Sequence, residues 1–121
     1  MNKLLIVLAV GGLLALSSAA SAQTAPQSVI HVVTVTWNPG TTPAQIQAAL
    51  DGAKELPSKY KGIVRVWAKS IKVQGGKANA IAMEFTDEAA LKAYTGSTAQ
   101  TDWYKVYLPI REESTTFDIT N

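Results

Sequence analysis

Histidine is the side chain that changes charge near neutral pH, and this chain contains one, His31. In the run Val29–Trp37 it shares one side of an extended segment with Val33, Val35 and Trp37. Two readings fit it. It is a pocket histidine that binds or protonates a small ligand, or a half-buried ring satisfied by a hydroxyl or a carbonyl. Tyr94 offers a phenol that can donate to a carbonyl oxygen in an apolar pocket; its other reading is a core ring with its hydroxyl at the rim. Gln100 can hold a ligand or cap a turn, but an amide cannot serve as a general base near neutral pH. Trp103 is expected in the core. Trp67 alternates with Arg65 and Lys69, a pattern of an amphipathic surface or a subunit interface. The candidate pocket is therefore lined by His31, Val33, Val35, Tyr94, Gln100 and Trp103. If the site catalyses, His31 is the acid/base and Tyr94 the oxyanion donor.

Several chemistries are excluded. The chain has no cysteine, so thiol catalysis, iron–sulfur clusters and cysteine-type zinc sites are ruled out. A single histidine cannot build a multi-histidine site within one subunit. Glu84, Asp87 and Glu88 form an acidic group, but the start of a helix accounts for Asp87 and Glu88 without a metal. No metal or cofactor is expected. Gly75-Gly76 lacks the spacing of a phosphate-binding loop. The net charge is +2, and +1 without Lys3. No run of five basic residues occurs, so neither nucleic acid nor an anionic membrane is an expected partner.

The elements that must position these residues begin after a distinct leader. Lys3, the apolar run Leu4–Leu16 and the small residues Ala20-Ser21-Ala22 make a secretory signal peptide, residues 1–22, cut after Ala22. Its apolar core of about 13 residues is short for a membrane span, which needs about 20. The expectation is a secreted or periplasmic protein, free of the membrane after cleavage. Residues 23–28 are a flexible lead, and one domain fills 29–121.

Val29–Trp37 is rich in β-branched residues and predicts a strand, stopped by Asn38-Pro39-Gly40. Thr42, Pro43 and Gln45 predict a capping box and a helix start. Ile46, Ala49, Leu50, Ala53 and Leu56 form its apolar stripe, and Pro57 is expected to end it. A strand over Ile63–Val73, a hairpin turn at Gln74–Lys77 and a strand over Asn79–Phe85 follow. Ala89–Tyr94 reads as a helix with Gly96 as its stop. Ser97 or Thr98 caps a further helix whose apolar side carries Trp103, Val106, Tyr107 and Ile110. Pro109 ends it, and Ser114–Thr120 is the closing strand. The order β-α-β-β-α(α)-β is the ferredoxin-like α+β plan, a four-stranded antiparallel sheet with helices on one face. Both sides of the first strand are largely apolar, whereas a sheet wet on one face alternates more cleanly. The open face is therefore expected to meet an identical sheet, making a homodimer.

His31-Val32-Val33-Thr34-Val35, Leu56-Pro57, Lys61-Gly62-Ile63, Met83-Glu84-Phe85, Leu91-x-x-Tyr94 and Phe117-Asp118 occur in an order that resembles the stress-responsive A/B barrel domain of the dimeric α+β barrel superfamily. The resemblance covers Val29–Thr120. It implies a homodimer whose two sheets close into a barrel, with a pocket between sheet and helices in each subunit. Members that catalyse cyclise polyketides with a histidine and a tyrosine, the histidine lying in a His-Pro-x-His segment. Tyr94 matches that tyrosine and His31 the histidine opening the first strand. Ser97-Thr98-Ala99-Gln100 stands where the His-Pro-x-His segment would be. The resemblance thus implies an exported protein that binds a small hydrophobic ligand or protects under stress. The alternative is a cofactor-independent cyclase, isomerase or monooxygenase using His31 and Tyr94. Superfamily members that degrade haem use a helical histidine, which this chain lacks.

Overall fold

The structure is a computed structural model that describes residues 26–121 together with Gly11 and Gly12. Apart from that pair, the signal-peptide segment 1–22 lies outside the described residues, as do residues 23–25 of the lead.

The elements run β1 (Val29–Trp37), α1 (Pro43–Lys59), β2 (Ile63–Trp67), β3 (Asn79–Phe85), α2 (Glu88–Tyr94), α3 (Thr98–Tyr107) and β4 (Arg111–Ile119). The sheet order is β2-β3-β1-β4, with every neighbouring pair antiparallel. β1 and β2 thus flank β3, the split βαβ arrangement of the ferredoxin-like plan. The capping box at α1 is complete: Thr42 Oγ1 accepts from the Gln45 N–H, and Gln45 Oε1 accepts from the Thr42 N–H. Asp87 and Ser97 cap α2 and α3 in the same way through Ala90 N–H and Gln100 N–H. Gly96 takes φ +79° between these two helices, a conformation that glycine tolerates without a Cβ penalty.

Three boundaries differ from expectation. Pro57 lies inside α1, which continues to Lys59. The proline gives up its own N–H bond and its ring crowds the carbonyl one turn back, but the following turn closes, with Tyr60 N–H donating to Leu56 O at 2.9 Å. β2 stops at Trp67 instead of Val73. Beyond it, Ser70 Oγ accepts from Ala80 N–H and donates to Ala80 O, so a side chain replaces the ladder. The turn at Gln74–Lys77 forms, with Gly75 and Gly76 at φ +69° and +73°. β4 begins at Arg111, three residues before the expected Ser114.

The core lies between the sheet and the helices. Val29, Val35, Ile81, Met83 and Phe85 meet Ala49, Ala53 and Leu56 of α1 and Trp103 and Tyr107 of α3. Val106, expected on the apolar side of α3, is exposed; it sits one position past the inward-facing Trp103–Tyr107 edge. Trp103 Nε1 donates to Ala49 O at 2.8 Å, so the two helices join inside the core. A Cβ on Gly52 would lie 2.9 Å from the Trp103 ring, which explains glycine in mid-helix.

The opposite face of the sheet is uncovered in the single chain. Trp67, Ala82, Val32 and Phe117 form a row across all four strands, and Arg65, Glu84, Ile30 and Ile119 form the next. Trp67, Phe117 and Ile119 are 51%, 54% and 61% exposed. Residues 26–28 are tied to the chain's end: Thr120 Oγ1 donates to Ser28 O and Asn121 Nδ2 to Pro26 O.

Candidate functional site

A cavity of about 260 Å³ opens between the sheet and α2–α3. β1 contributes His31 and Val33, β3 Met83, α2 Leu91 and Tyr94, and α3 Gln100, Trp103, Tyr104 and Tyr107. β4 supplies a polar wall of Arg111, Ser114 and Thr116. Five of the six expected pocket residues therefore meet. Val35 does not line the cavity; it is fully buried in the core, because its place on β1 lies under α1 and α3.

His31 is satisfied by neither a hydroxyl nor a carbonyl. Its Nδ1 lies 2.5 Å from Asp118 Oδ1 on the paired strand β4. With Nδ1–H donating to the carboxylate, Nε2 is the ring nitrogen left outside that pair. The ring packs edge-on against Phe85, with centroids 5.9 Å apart.

Tyr94 and Tyr107 are 3% and 2% exposed, and neither hydroxyl has a hydrogen-bond partner among the described residues. Burial pushes the Tyr94 phenol well above the ordinary tyrosine range; it also raises Tyr107, where the neighbouring Arg111 and Ser114 partly offset it. Tyr107 is held by a parallel stack on Trp103 at 4.3 Å, and the Arg111 guanidinium sits 5.5 Å from its ring centre. Tyr94 is held between Phe85 and Tyr60.

Gln100 caps a turn and lines the cavity at once. Its Oε1 accepts from Gly96 N–H at 2.7 Å, and its Nε2 lies 3.1 Å from Tyr104 Oη. Ser97-Thr98-Ala99-Gln100 is the cap and first turn of α3. Of the acidic residues, Glu84 pairs with Arg65 at 2.8 Å on the open face, and Asp87 caps α2.

A wider groove of about 400 Å³ borders the cavity at Leu91 and carries Asp118, Glu88 and Lys92. Its polar groups are exposed and hydrated, whereas the smaller cavity holds the buried, unpartnered hydroxyls. The smaller cavity is accordingly the candidate site. Asp118, Tyr107 and Arg111 had no expected site role. The signal available for β4 was the alternation of Ser114, Thr116 and Asp118, which puts three polar residues on the side facing the helices.

Solved structures share this architecture. A ferredoxin-like protein of the same domain family from Mesorhizobium loti is 20% identical, covers 78% of this chain and 96% of its own, and has a TM-score of 0.65. The hydroxynitrile lyase of Passiflora edulis is 15% identical over 79% of this chain and 94% of its own, at TM-score 0.70. A dimeric ferredoxin-like protein of unknown function from Thermobifida fusca is 14% identical over 79% and 92%, at TM-score 0.67. At these identities the likeness is one of fold. No curated protein matches the chain. Residues 29–121 match the family described as the stress responsive A/B barrel domain, and the chain belongs to that family.

Proposed function

We propose that the chain works as an exported homodimer whose cavity binds a small hydrophobic ligand without transforming it. The observation that carries this reading is the pair of buried phenol groups, Tyr94 and Tyr107, with no hydrogen-bond partner among the described residues, in a chamber whose apolar walls are Val33, Met83, Leu91 and Trp103. Leaving such a group unmatched costs about 1–3 kcal/mol, which a ligand oxygen recovers. Gln100 supports binding over turnover: its amide is engaged by Gly96 and Tyr104, and it has no group that ionises near neutral pH.

Dimerisation is supported by the row Trp67, Ala82, Val32 and Phe117, an apolar strip whose Trp67 and Phe117 are exposed and whose Val32 is partly so. Export is supported by the leader sequence of residues 1–22.

A second reading is favoured by the His31–Asp118 pair, which resembles the way a carboxylate orients a catalytic imidazole. In that reading Nε2 moves a proton and Tyr94 steadies a developing oxyanion. One experiment separates the two. Native mass spectrometry of the processed protein should show two chains with a co-purifying small molecule. Incubating that molecule with fresh protein should return it unchanged. A product whose formation requires His31 would favour the enzyme instead, and a monomer without any bound molecule would refute both.

A further inference from the structure

We infer that the cavity is built for an anionic ligand, a flat apolar body carrying one carboxylate, with Arg111 taking the charge and Tyr94 and Tyr107 donating to its oxygens. The inference rests on the reading of this cavity as a ligand site and adds the ligand's chemical class.

Three observations converge. First, the cavity holds buried hydroxyls able to donate that have no partner among the described residues. The phenol hydroxyls of Tyr94 and Tyr107 are buried and unpartnered. Second, Arg111 is the cavity's arginine, and it makes no ion pair among the described residues. It is half-buried and leans on the Tyr107 ring, so its fork is held close to the phenol it would share an anion with. Third, no aspartate or glutamate lines this cavity. The nearest carboxylate, Asp118, is taken up by His31 and opens on the neighbouring groove.

A half-buried cation with two neutral donors and no anion of its own is complementary to a carboxylate. Arginine matches that group with two parallel N–H bonds, and charge-assisted bonds of this kind are about twice as strong as neutral ones. Of the other walls, Val33, Met83, Leu91 and Trp103 are apolar and include a flat indole, which suits a planar hydrocarbon body, while Ser114 and Thr116 add hydroxyls on the β4 side. A cavity of about 260 Å³ admits a ligand the size of a two-ring aromatic acid.

The test uses calorimetry on the processed full-length domain with two probes of one shape, 2-naphthoate and 2-naphthamide, near pH 7.5. Both offer a carbonyl oxygen to the tyrosines, but only the first is charged. The expected result is a preference for naphthoate of about tenfold or more. In Arg111→Gln that preference should fall to about threefold or less. Arg111→Lys, which keeps the charge and loses the fork, should lie between the two. Tyr107→Phe should weaken both probes. Equal binding of the two probes by the unmodified protein overturns the anion inference and leaves the ligand cavity standing. A preference that survives in Arg111→Gln overturns the role of Arg111. Failure of both probes to bind at about 1 mM overturns the ligand reading itself.

Discussion

His31 on β1 and Asp118 on β4 are register partners, and the imidazole Nδ1 meets the carboxylate at 2.5 Å. The pair is partly solvated, with side chains 18% and 46% exposed, so it sets orientation more than stability. Asp118→Ala should cost less than about 1 kcal/mol in urea unfolding. The nitrogen NMR shifts of His31 should move from the Nδ1–H tautomer towards Nε2–H. Unchanged ring signals in the variant would show that Asp118 does not hold the tautomer.

Tyr94→Phe removes a buried hydroxyl that has no partner in the empty cavity. The ligand-free protein should therefore gain about 0.5–2 kcal/mol of stability. Affinity for a carbonyl-bearing ligand should fall in the same variant. Opposite signs in the two measurements are the signature; a loss of stability on its own would mean that the hydroxyl is already satisfied.

The raised phenols also set an alkaline limit. Below pH about 10 the folded and unfolded chains both keep the Tyr94 and Tyr107 protons, and the two groups contribute no pH dependence. Above it the unfolded chain releases them and the folded chain retains them. Stability must then fall as pH rises, with a slope approaching about 1.4 kcal/mol per pH unit from Tyr94 and a smaller contribution of the same sign from Tyr107. Urea midpoints measured from pH 8 to 11 should be flat and then drop, and Tyr94→Phe should shallow the drop. A profile with no bend near pH 10 would contradict the burial of these hydroxyls.

Phe117→Arg places a charge at the β4 end of the row Trp67–Ala82–Val32–Phe117. Light scattering should find the unmodified protein dimeric at micromolar concentration and the variant monomeric, with its circular dichroism retained. A variant that remains dimeric would move the interface away from this face.

Gly52→Ala trades helix propensity against space. Alanine favours the helix by about 1 kcal/mol, but its methyl would meet the Trp103 ring at 2.9 Å. That ring is locked by its stack on Tyr107 and its bond to Ala49, so it cannot swing aside. A net loss of about 1–2 kcal/mol is expected from thermal unfolding.

Local patterns carried most of the fold. The bounds of β1 and β3, the Thr42–Gln45 box and the turn glycines were legible because each is decided within a few residues. β2 was read too long because Ile71 and Val73 look like strand residues. Ile71 is in fact fully exposed, and the ladder is ended by the Ser70 side chain, a contact that no alternation encodes. The site divides in the same way. His31, Tyr94 and Gln100 were legible as residue types on known faces. The pairing of His31 with Asp118 spans 87 residues and depends on strand register. Arg111 was missed because β4 starts earlier than its β-branched stretch suggests.

The two buried phenol hydroxyls without a partner among the described residues lie in one chamber between sheet and helices. A guest that accepts from both acts as a missing piece of the core, so occupancy and folding become one linked equilibrium. Heat resistance and survival against proteases would then track how much of the guest is present, and the abundance of this protein would itself report the guest's concentration.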